Sequence, residues 1–244
     1  MAQRTVLITG GTRGIGRACA LALAAEGSDV VLGYARDDAA AAVTKAEIID
    51  AGVRCLTVRA DLTTDEGIET LFAAATEWSR GIDAVVNNAG ATLNVGSLLD
   101  TPTDVIRRVV DLNLTSAILV ARRAVRALGA GGVLVNISSG AATTGSPGEY
   151  VHYAAAKAGV DALTKGLAIE AAPGHVRVVG VAPGTIDTDI HASAGDPDRT
   201  ARVAQRHPMG RAGTVTEVAS VVLFALSEGA SYISGTTLRV AGGV

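Results

Sequence analysis

Tyr153 and Lys157 are the two side chains whose types and spacing best suit proton transfer. They lie four residues apart in an Ala-rich stretch, from about Tyr150 to Glu170, that we predict to be a helix, so both would project from one helix face. A free tyrosine has a pKa of about 10 and is a poor acid–base catalyst near neutral pH, and we expect the nearby ammonium to lower that pKa. A tyrosine and a lysine with this spacing usually lie on a helix surface when no other motif accompanies them. The catalytic interpretation therefore depends on which other residues lie beside them.

A glycine-rich turn near the start of the chain has the composition of a phosphate-binding site. It separates a β-branched run from an Ala/Leu-rich run. Glycine lets the backbone turn sharply and approach a pyrophosphate without a Cβ in the way, while the following helix directs N–H groups at the anion. Ordinary strand-to-helix turns can look similar, but a position after the first strand of a βαβ pattern favours phosphate binding. The turn residues concerned are Gly10, Thr12, Arg13, Gly14, Ile15 and Gly16.

The elements that must position these groups alternate between short β-branched runs and Ala/Leu-rich amphipathic runs. The short runs have few alternating polar positions, which is typical of strands buried on both faces, and their alternation with helices implies a parallel sheet with right-handed crossovers. We predict a single-domain α/β Rossmann fold over residues 1–244, with a doubly wound seven-stranded parallel sheet and helices on both faces. One of the helices is predicted over Leu114–Leu128. The predicted strands are Val6–Thr9, Asp29–Tyr34, Arg54–Arg59, Ala84–Asn87, Gly132–Ser138, Arg177–Val181 and Thr237–Val240.

Composition and charge exclude several functional classes. The chain has 244 residues, of which 48% are hydrophobic, and 21 Lys and Arg stand against 24 Asp and Glu. This near-neutral balance, without basic clusters, argues against nucleic acid as a partner. Cys19 and Cys55 are too few for a disulfide framework or a thiolate zinc site, and no pair of histidines has zinc-ligand spacing with supporting ligands nearby, so we expect no metal.

The N-terminal region shows no targeting segment. Its apolar run, Val6–Ile8, is far too short for the core of a signal peptide or for a membrane span. We expect a cytoplasmic protein that does not bind membranes, and the two unpaired cysteines agree with a reducing compartment.

Taken together, these features resemble the short-chain dehydrogenase/reductase family over essentially the whole chain. The turn Thr9–Gly16 has the family form T-G-x-x-x-G-x-G, Asn87–Gly90 reads N-N-A-G, and Tyr153–Lys157 reads Y-x-x-x-K. The resemblance extends to 3-oxoacyl-ACP reductase-like and uncharacterised bacterial members. Further landmarks in family order are Asp61, Leu62, Asn113, Ser139, Pro183 and Gly184.

The resemblance implies a catalytic role for four residues. Tyr153 would donate a proton to a carbonyl oxygen in reduction, or remove one from an alcohol in oxidation, and Lys157 would also hold the nicotinamide ribose. Ser139 would hydrogen-bond the substrate oxygen, and Asn113 would position a helix carbonyl and a water for proton relay. The implied cofactor-binding residues are Gly10, Thr12, Arg13, Gly14, Ile15, Gly16, Tyr34, Arg36, Asp61, Leu62, Asn88, Ala89, Gly90, Tyr153, Lys157, Pro183, Gly184, Ile186 and Thr188.

The end of the second strand indicates which nicotinamide cofactor is used. Tyr34 stands where NAD-preferring relatives carry aspartate, and Arg36 follows two residues later. Arg36 and Arg13 can pair with a 2′-phosphate, which predicts NADP(H). Asp37 and Asp38 partly oppose this interpretation, but we expect them past the site, near the start of the next helix.

The sequence therefore predicts an NADP(H)-dependent oxidoreductase that transfers a hydride between nicotinamide and a carbonyl or alcohol group of a small or medium-sized molecule. The leading prediction is a carbonyl reductase of the ketoacyl or ketone type, with a 3-ketoacyl thioester, a sugar lactone/lactol pair and a generic ketone all open as substrates. Two alternatives remain open: an NAD(P)-dependent alcohol or sugar dehydrogenase that works oxidatively, and a non-catalytic module that senses the cofactor. A flap at about 184–212 should close over the substrate, and the resemblance implies a homotetramer.

Three neighbours of the motif receive separate predictions. Tyr150 has no lysine four residues on, so it should line the substrate mouth or pack. His152 lies 100° around the helix from Tyr153 and is expected to be a polar surface residue. Ser138 and Ser139 follow each other at a strand end, so they should point to opposite sides, with only Ser139 reaching the carbonyl.

Overall fold

A computed structural model of the chain describes residues 4–188, 196, 198–204 and 207–244. Its strands form one parallel sheet in the order β3-β2-β1-β4-β5-β6-β7. The strands are β1 (Thr5–Thr9), β2 (Asp29–Tyr34), β3 (Cys55–Arg59), β4 (Ile82–Asn87), β5 (Leu128–Ile137), β6 (Arg177–Pro183) and β7 (Thr237–Val240). The helices are α1 (Gly14–Ala25), α2 (Asp38–Asp50), α3 (Asp65–Trp78), α4 (Thr103–Val110), α5 (Ser116–Ala127), α6 (Ala141–Thr144), α7 (Val151–Ala171), α8 (Arg199–Ala204) and α9 (Val215–Leu226).

Helices cover both faces of the sheet. On one face, Ile8, Leu32 and Val181 pack in a cluster with residues of α1, α2 and α9. On the other face, Leu7 and Val31 pack in a second cluster with residues of α3, α5 and α7. Successive strand residues therefore enter opposite cores, which explains why the strand runs lack polar alternation. The predicted doubly wound, seven-stranded parallel fold is confirmed.

The strand order reverses between β1 and β4. The chain builds β2 and β3 to one side of β1 and then returns to place β4 on the other side. Ligands bind to open α/β sheets at such a switch point, outside the carboxyl ends of the strands. The topology therefore predicts a site at this edge of the sheet, between β1 and β4.

Among the described residues, no helix is long and apolar enough to cross a membrane.

A buried polar chain ties the site-bearing elements to the sheet. Asn87 at the end of β4 donates through its amide to the side-chain oxygen of Asn136 on β5 at 3.0 Å, and to the backbone oxygen of Ala117 on α5 at 2.9 Å. The Asn136 amide donates to Thr164 Oγ1 on α7 at 3.0 Å. Buried amides are costly when unpaired, so these bonds hold α5 and α7 against β4 and β5.

Two local features differ from the sequence expectation. The predicted helix Leu114–Leu128 begins later, at Ser116, because Asp111–Thr115 forms a π-helical turn. Its last residue, Leu128, instead begins β5, where it pairs with Ile82 ahead of a register shift.

The core predicts a matched pair of stability effects. Leu71 on α3 is fully buried, whereas Leu99 is 95% exposed. We expect Leu71→Ala to lower the free energy of unfolding by about 2–5 kcal/mol because it leaves a cavity, and Leu99→Ala to change it by about 0.5 kcal/mol or less. Urea titration at a fixed protein concentration measures both, and equal losses in the two variants would contradict this packing.

Candidate active site

A cavity of about 660 Å³ lies at the carboxyl ends of the strands, at the switch point. Two residues of the predicted site, Gly16 and Asn113, lie behind its wall rather than on it. The predicted residues that line the cavity are Gly10, Thr12, Arg13, Gly14, Ile15, Tyr34, Arg36, Asp61, Leu62, Asn88, Ala89, Gly90, Ser139, Tyr153, Lys157, Pro183, Gly184, Ile186 and Thr188.

The glycine turn has the shape that a dinucleotide phosphate requires. Gly10 and Gly14 have φ of +63° and +52°, a region that side chains rarely tolerate. A Cβ on Gly16 would lie 2.2 Å from the backbone oxygen of Gly10 and 2.6 Å from Asn88 Nδ2. Gly16 therefore lets α1 begin directly against the turn, which aims the first N–H groups of the helix toward the cavity.

Thr9 and Asn88 join the glycine turn to the end of β4. The Thr9 hydroxyl accepts hydrogen bonds from the backbone N–H groups of Asn88 and Ala89 at 2.8 and 2.9 Å. The Asn88 side chain returns the contact by donating to the backbone oxygens of Thr9 and Gly10 at 2.9 and 3.2 Å. The sequence analysis did not assign this role to Thr9. The pattern that could have predicted it is a hydroxyl residue at the end of β1 together with an asparagine at the end of the neighbouring β4.

Asn113 supports the cavity from behind. Its amide donates to the backbone oxygens of Ala91 and Val109 at 2.8 and 2.9 Å, and its side-chain oxygen accepts from the Ala91 N–H at 3.2 Å. A Cβ on Gly90 would lie 2.6 Å from that oxygen. Asn113 also lies inside the π-helical turn, an irregularity that often occurs at functional sites. It therefore holds the Gly90–Ala91 segment in place.

Tyr153, Lys157 and Ser139 meet at the cavity wall. Lys157 Nζ donates to the backbone oxygen of Ile137 at 2.9 Å and lies 5.7 Å from the centroid of the Tyr153 ring. Ser139 also lines the cavity, and its hydroxyl accepts from the Ala141 N–H at 3.1 Å. Ser138 instead donates to the backbone oxygen of Lys157 at 3.3 Å, so the two serines point to different partners, as their alternation predicts.

Burial dominates the electrostatics of the pair. It raises the pKa of Tyr153 above its usual value, although the nearby Ser139 hydroxyl and the charge of Arg199 act in the opposite direction. Burial also lowers the pKa of Lys157, to about 8. The expected lowering of the tyrosine pKa by Lys157 is therefore wrong, because the ammonium is directed at Ile137 and desolvation outweighs the local charges. The phenol stays protonated at neutral pH, which suits a proton donor.

Two arginines and two aspartates surround the end of β2. Arg13 Nη1 lies 3.5 Å from Asp37, whose carboxylate caps α2 by accepting from the Ala40 N–H. Asp38 accepts from the Tyr34 hydroxyl at 2.8 Å. Both carboxylates belong to the start of α2, as expected, but Asp37 also lines the cavity and therefore does not lie past the site.

Arg36 lies on the cavity wall near Asp61. Hydrogen bonds from Thr63, together with the charge of Arg36, lower the pKa of the Asp61 carboxyl.

Three residues near the motif can be compared with their predictions. Tyr150 agrees with its prediction, because it is buried, lines the cavity and packs on Tyr153. His152 is not a surface residue: it is 4% exposed, because α4 and α6 pack against this end of α7. His207, in the predicted flap, places Nε2 2.9 Å from Thr185 Oγ1 at the cavity. Residues 189–195, 197, 205 and 206 of the predicted flap lie outside the described residues.

Comparison with known proteins identifies the family. The family model described as Enoyl-(Acyl carrier protein) reductase matches residues 10–244. The chain is 41% identical over 242 residues to the uncharacterized oxidoreductase YgfF of Escherichia coli, covering 97% of this chain and 98% of that protein. It is 40% identical over 244 residues to the 3-oxoacyl-[acyl-carrier-protein] reductase FabG of Aquifex aeolicus, covering 98% and 96%.

The chain belongs to the short-chain dehydrogenase/reductase family. A solved short-chain dehydrogenase of Burkholderia cenocepacia, in complex with NADP, superposes with a TM-score of 0.92 at 33% identity, covering 99% of this chain and 97% of that one. The protein is therefore an oxidoreductase of this family that uses a nicotinamide cofactor and acts on CH–OH or C=O groups. The Cβ-free approach at the glycine turn of this short-chain dehydrogenase fits a dinucleotide phosphate.

Two glycines of this dehydrogenase make a matched test of the turn. Gly16→Ala would place a Cβ against Gly10 and Asn88, whereas Gly166 on α7 has no atom within 4 Å of the corresponding position. We expect Gly16→Ala to weaken NADPH binding by about tenfold or more, about 1.4 kcal/mol, and Gly166→Ala to leave it unchanged. Titration of NADPH fluorescence measures both constants. Unchanged binding in Gly16→Ala would show that the turn does not contact the cofactor.

Proposed function

We propose that this protein is an NADP(H)-dependent carbonyl reductase in which Tyr153 protonates the carbonyl oxygen. One observation carries the proposal: a buried phenol, close to the Lys157 ammonium, faces a cavity that Ser139 also lines and whose other end is the glycine turn. The bound dinucleotide would supply the hydride.

The proposed roles of the four catalytic residues follow from their contacts. Tyr153 gives its proton to the oxygen on which negative charge develops, and the Ser139 hydroxyl donates a hydrogen bond to the same oxygen. Lys157 contributes a positive charge near the ring and would donate to the nicotinamide ribose of a bound cofactor. Asn113 positions the π-helical turn and the Gly90–Ala91 segment rather than touching substrate.

Tyr153 can serve both directions of the reaction, because reduction needs a phenol that donates a proton and oxidation of an alcohol needs a phenolate that accepts one. Desolvation raises the pKa of Tyr153 and so keeps the free side chain in the donating form. The presence of both Tyr153 and Lys157 in the cavity favours an enzyme over a non-catalytic cofactor sensor.

We propose that the adenosine 2′-phosphate is held by Arg13 and Arg36. Both line the cavity next to Tyr34, and Arg13 is only loosely paired with Asp37, at 3.5 Å. A phosphate can bind arginine bidentately, so it competes well for these side chains. The cofactor would also contact the remaining predicted binding residues from Gly10 to Thr188 that line the cavity.

We further propose that residues 1–244 act as one domain, with the segment at about 184–212 covering a small carbonyl substrate. A homotetramer is supported by apolar side chains that remain exposed on two helices, Ile118 on α5 and Ile169 on α7. Cys19 and Cys55 are free and buried, in keeping with the proposed cytoplasmic location.

The proposed proton donor has a matched control in the same chain. Tyr153 lies in the cavity, whereas Tyr232 is fully exposed. We expect Tyr153→Phe to lower NADPH-dependent turnover by about 10²-fold or more, because proton donation is lost, and to leave NADPH affinity within about twofold. Tyr232→Phe should behave as wild type. The assay monitors NADPH oxidation with a 3-ketoacyl thioester, a sugar lactone and simple ketones; near-normal turnover by Tyr153→Phe would refute the assignment.

Cofactor preference is tested by titrating NADPH and NADH in parallel. We expect the wild type to bind NADPH more tightly, and Arg36→Ala to weaken NADPH binding by about tenfold while NADH binding stays the same, because only NADPH carries the 2′-phosphate. Arg80→Ala, an exposed arginine away from the cavity, is the control. Tighter binding of NADH by the wild type would overturn the proposed preference.

A further inference from the structure

A buried ion pair connects α8 to the loop before α7 on the substrate side of the cavity. Arg199 Nη2 lies 2.5 Å from Glu149 Oε2, and the Arg199 side chain is 6% exposed. Both residues line the cavity. Removing a guanidinium from water is unfavourable unless close contacts compensate, so the contacts that Arg199 makes are needed to keep it buried here.

Arg199 also contacts an aromatic ring next to the proposed proton donor. Its Cζ lies 4.9 Å from the centroid of Tyr150, within cation–π range. The rings of Tyr150 and Tyr153 meet edge to face, with centroids 5.4 Å apart and an interplanar angle of 86°. Glu149, Arg199, Tyr150 and Tyr153 therefore form one continuous row of contacts, which we call the Arg199 row.

The loop that presents Glu149 and Tyr150 is held in an unusual conformation. Ser146, which is not a glycine, has φ of +44°, and its backbone oxygen accepts from the N–H groups of both Glu149 and Tyr150 at 3.2 Å. The backbone oxygen of Glu149 in turn accepts from the Gly96 N–H at 2.6 Å. A strained backbone that persists next to a cavity is held by its surroundings and is a recurrent feature of functional sites. The Arg199 row thus has a fixed end at this loop.

We propose that Arg199 is a positioning residue for the reaction: paired with Glu149, it holds Tyr150 against Tyr153 and so fixes the ring of the proton donor in the cavity. The inference rests on the proposed role of Tyr153. Arg199 acts through Tyr150 and does not itself transfer a proton. The ionisable groups around the Tyr153 ring are Lys157, Tyr150 and Arg199, and the Glu149 carboxylate offsets the charge of Arg199.

The kinetic test is a double-mutant cycle. We expect Arg199→Met to lower kcat for carbonyl reduction by about tenfold, with little change in the Kd of NADPH, since an ordered donor is needed only in the chemical step. Tyr150→Leu should have a similar effect. The double variant should be no worse than either single variant, because both remove the same row of contacts. Arg199→Lys, which keeps the charge, should recover part of the loss.

Arg202→Met supplies the matched control. Arg202 lies on the same helix, is half-exposed, pairs with Asp196 and does not line the cavity. It should keep wild-type kcat. Equal losses in Arg199→Met and Arg202→Met, wild-type kcat in Arg199→Met, or independent effects of Arg199 and Tyr150 in the cycle would each overturn the inference.

A second readout does not depend on turnover. The chain has four tyrosines, so the fluorine NMR spectrum of protein labelled with 3-fluorotyrosine contains four signals, assignable by Tyr→Phe variants. Arg199→Met should shift or broaden the signals of Tyr150 and Tyr153, while those of Tyr34 and Tyr232 stay in place; a wild-type circular dichroism spectrum shows that the variant is folded. Unmoved Tyr150 and Tyr153 signals would overturn the Arg199 row. A wild type that reduces no carbonyl would instead overturn the proposed function, whatever the spectrum shows.

Discussion

The carboxyl ends of β1 and β4 must stay together and still leave room for a phosphate group beside them. The Thr9 hydroxyl meets the first demand by accepting two backbone N–H groups from the end of β4, and the Asn88 amide answers with two bonds to the end of β1. Gly16 meets the second, since any side chain there would collide with Gly10 and Asn88. The position of α1, the floor of the cavity and the route of the chain toward Gly90 all depend on this small set of contacts.

Desolvation sets the chemistry at the other end of the cavity. Tyr153 and Lys157 are both buried, and burial disfavours the charged form of each, raising one pKa and lowering the other to about 8. In such surroundings each hydrogen bond carries more electrostatic weight than it would in water. The bond from Lys157 to Ile137 and the edge-to-face contact of Tyr150 with Tyr153 therefore orient the pair as well as stabilise it.

The sequence predicts features that depend on local pattern. Apolar runs gave the seven-stranded parallel sheet, and the spacing of Tyr153 and Lys157 gave their shared helix face, because both follow from the period of one element. The π-helical turn at Asn113 and the burial of His152 were missed, since they depend on what packs against each helix. The ion pair between Glu149 and Arg199 joins residues 50 positions apart, and no local pattern contains it. The roles of the individual site residues stay predictions.

The polar chain from Asn87 through Asn136 to Thr164 has a consequence for folding. Parallel strands made of valine, leucine and isoleucine could slide by two residues and still bury apolar side chains, so hydrophobic pattern alone distinguishes poorly between alignments. Asn87 and Asn136 lie opposite each other in the ladder, and the Asn87 amide reaches the Asn136 side-chain oxygen in that alignment. A shifted sheet would move the two residues apart and break this buried bond. This pair of buried polar residues therefore helps to specify the register of β4 against β5. It raises the free energy of compact states in which the strands pair in another register.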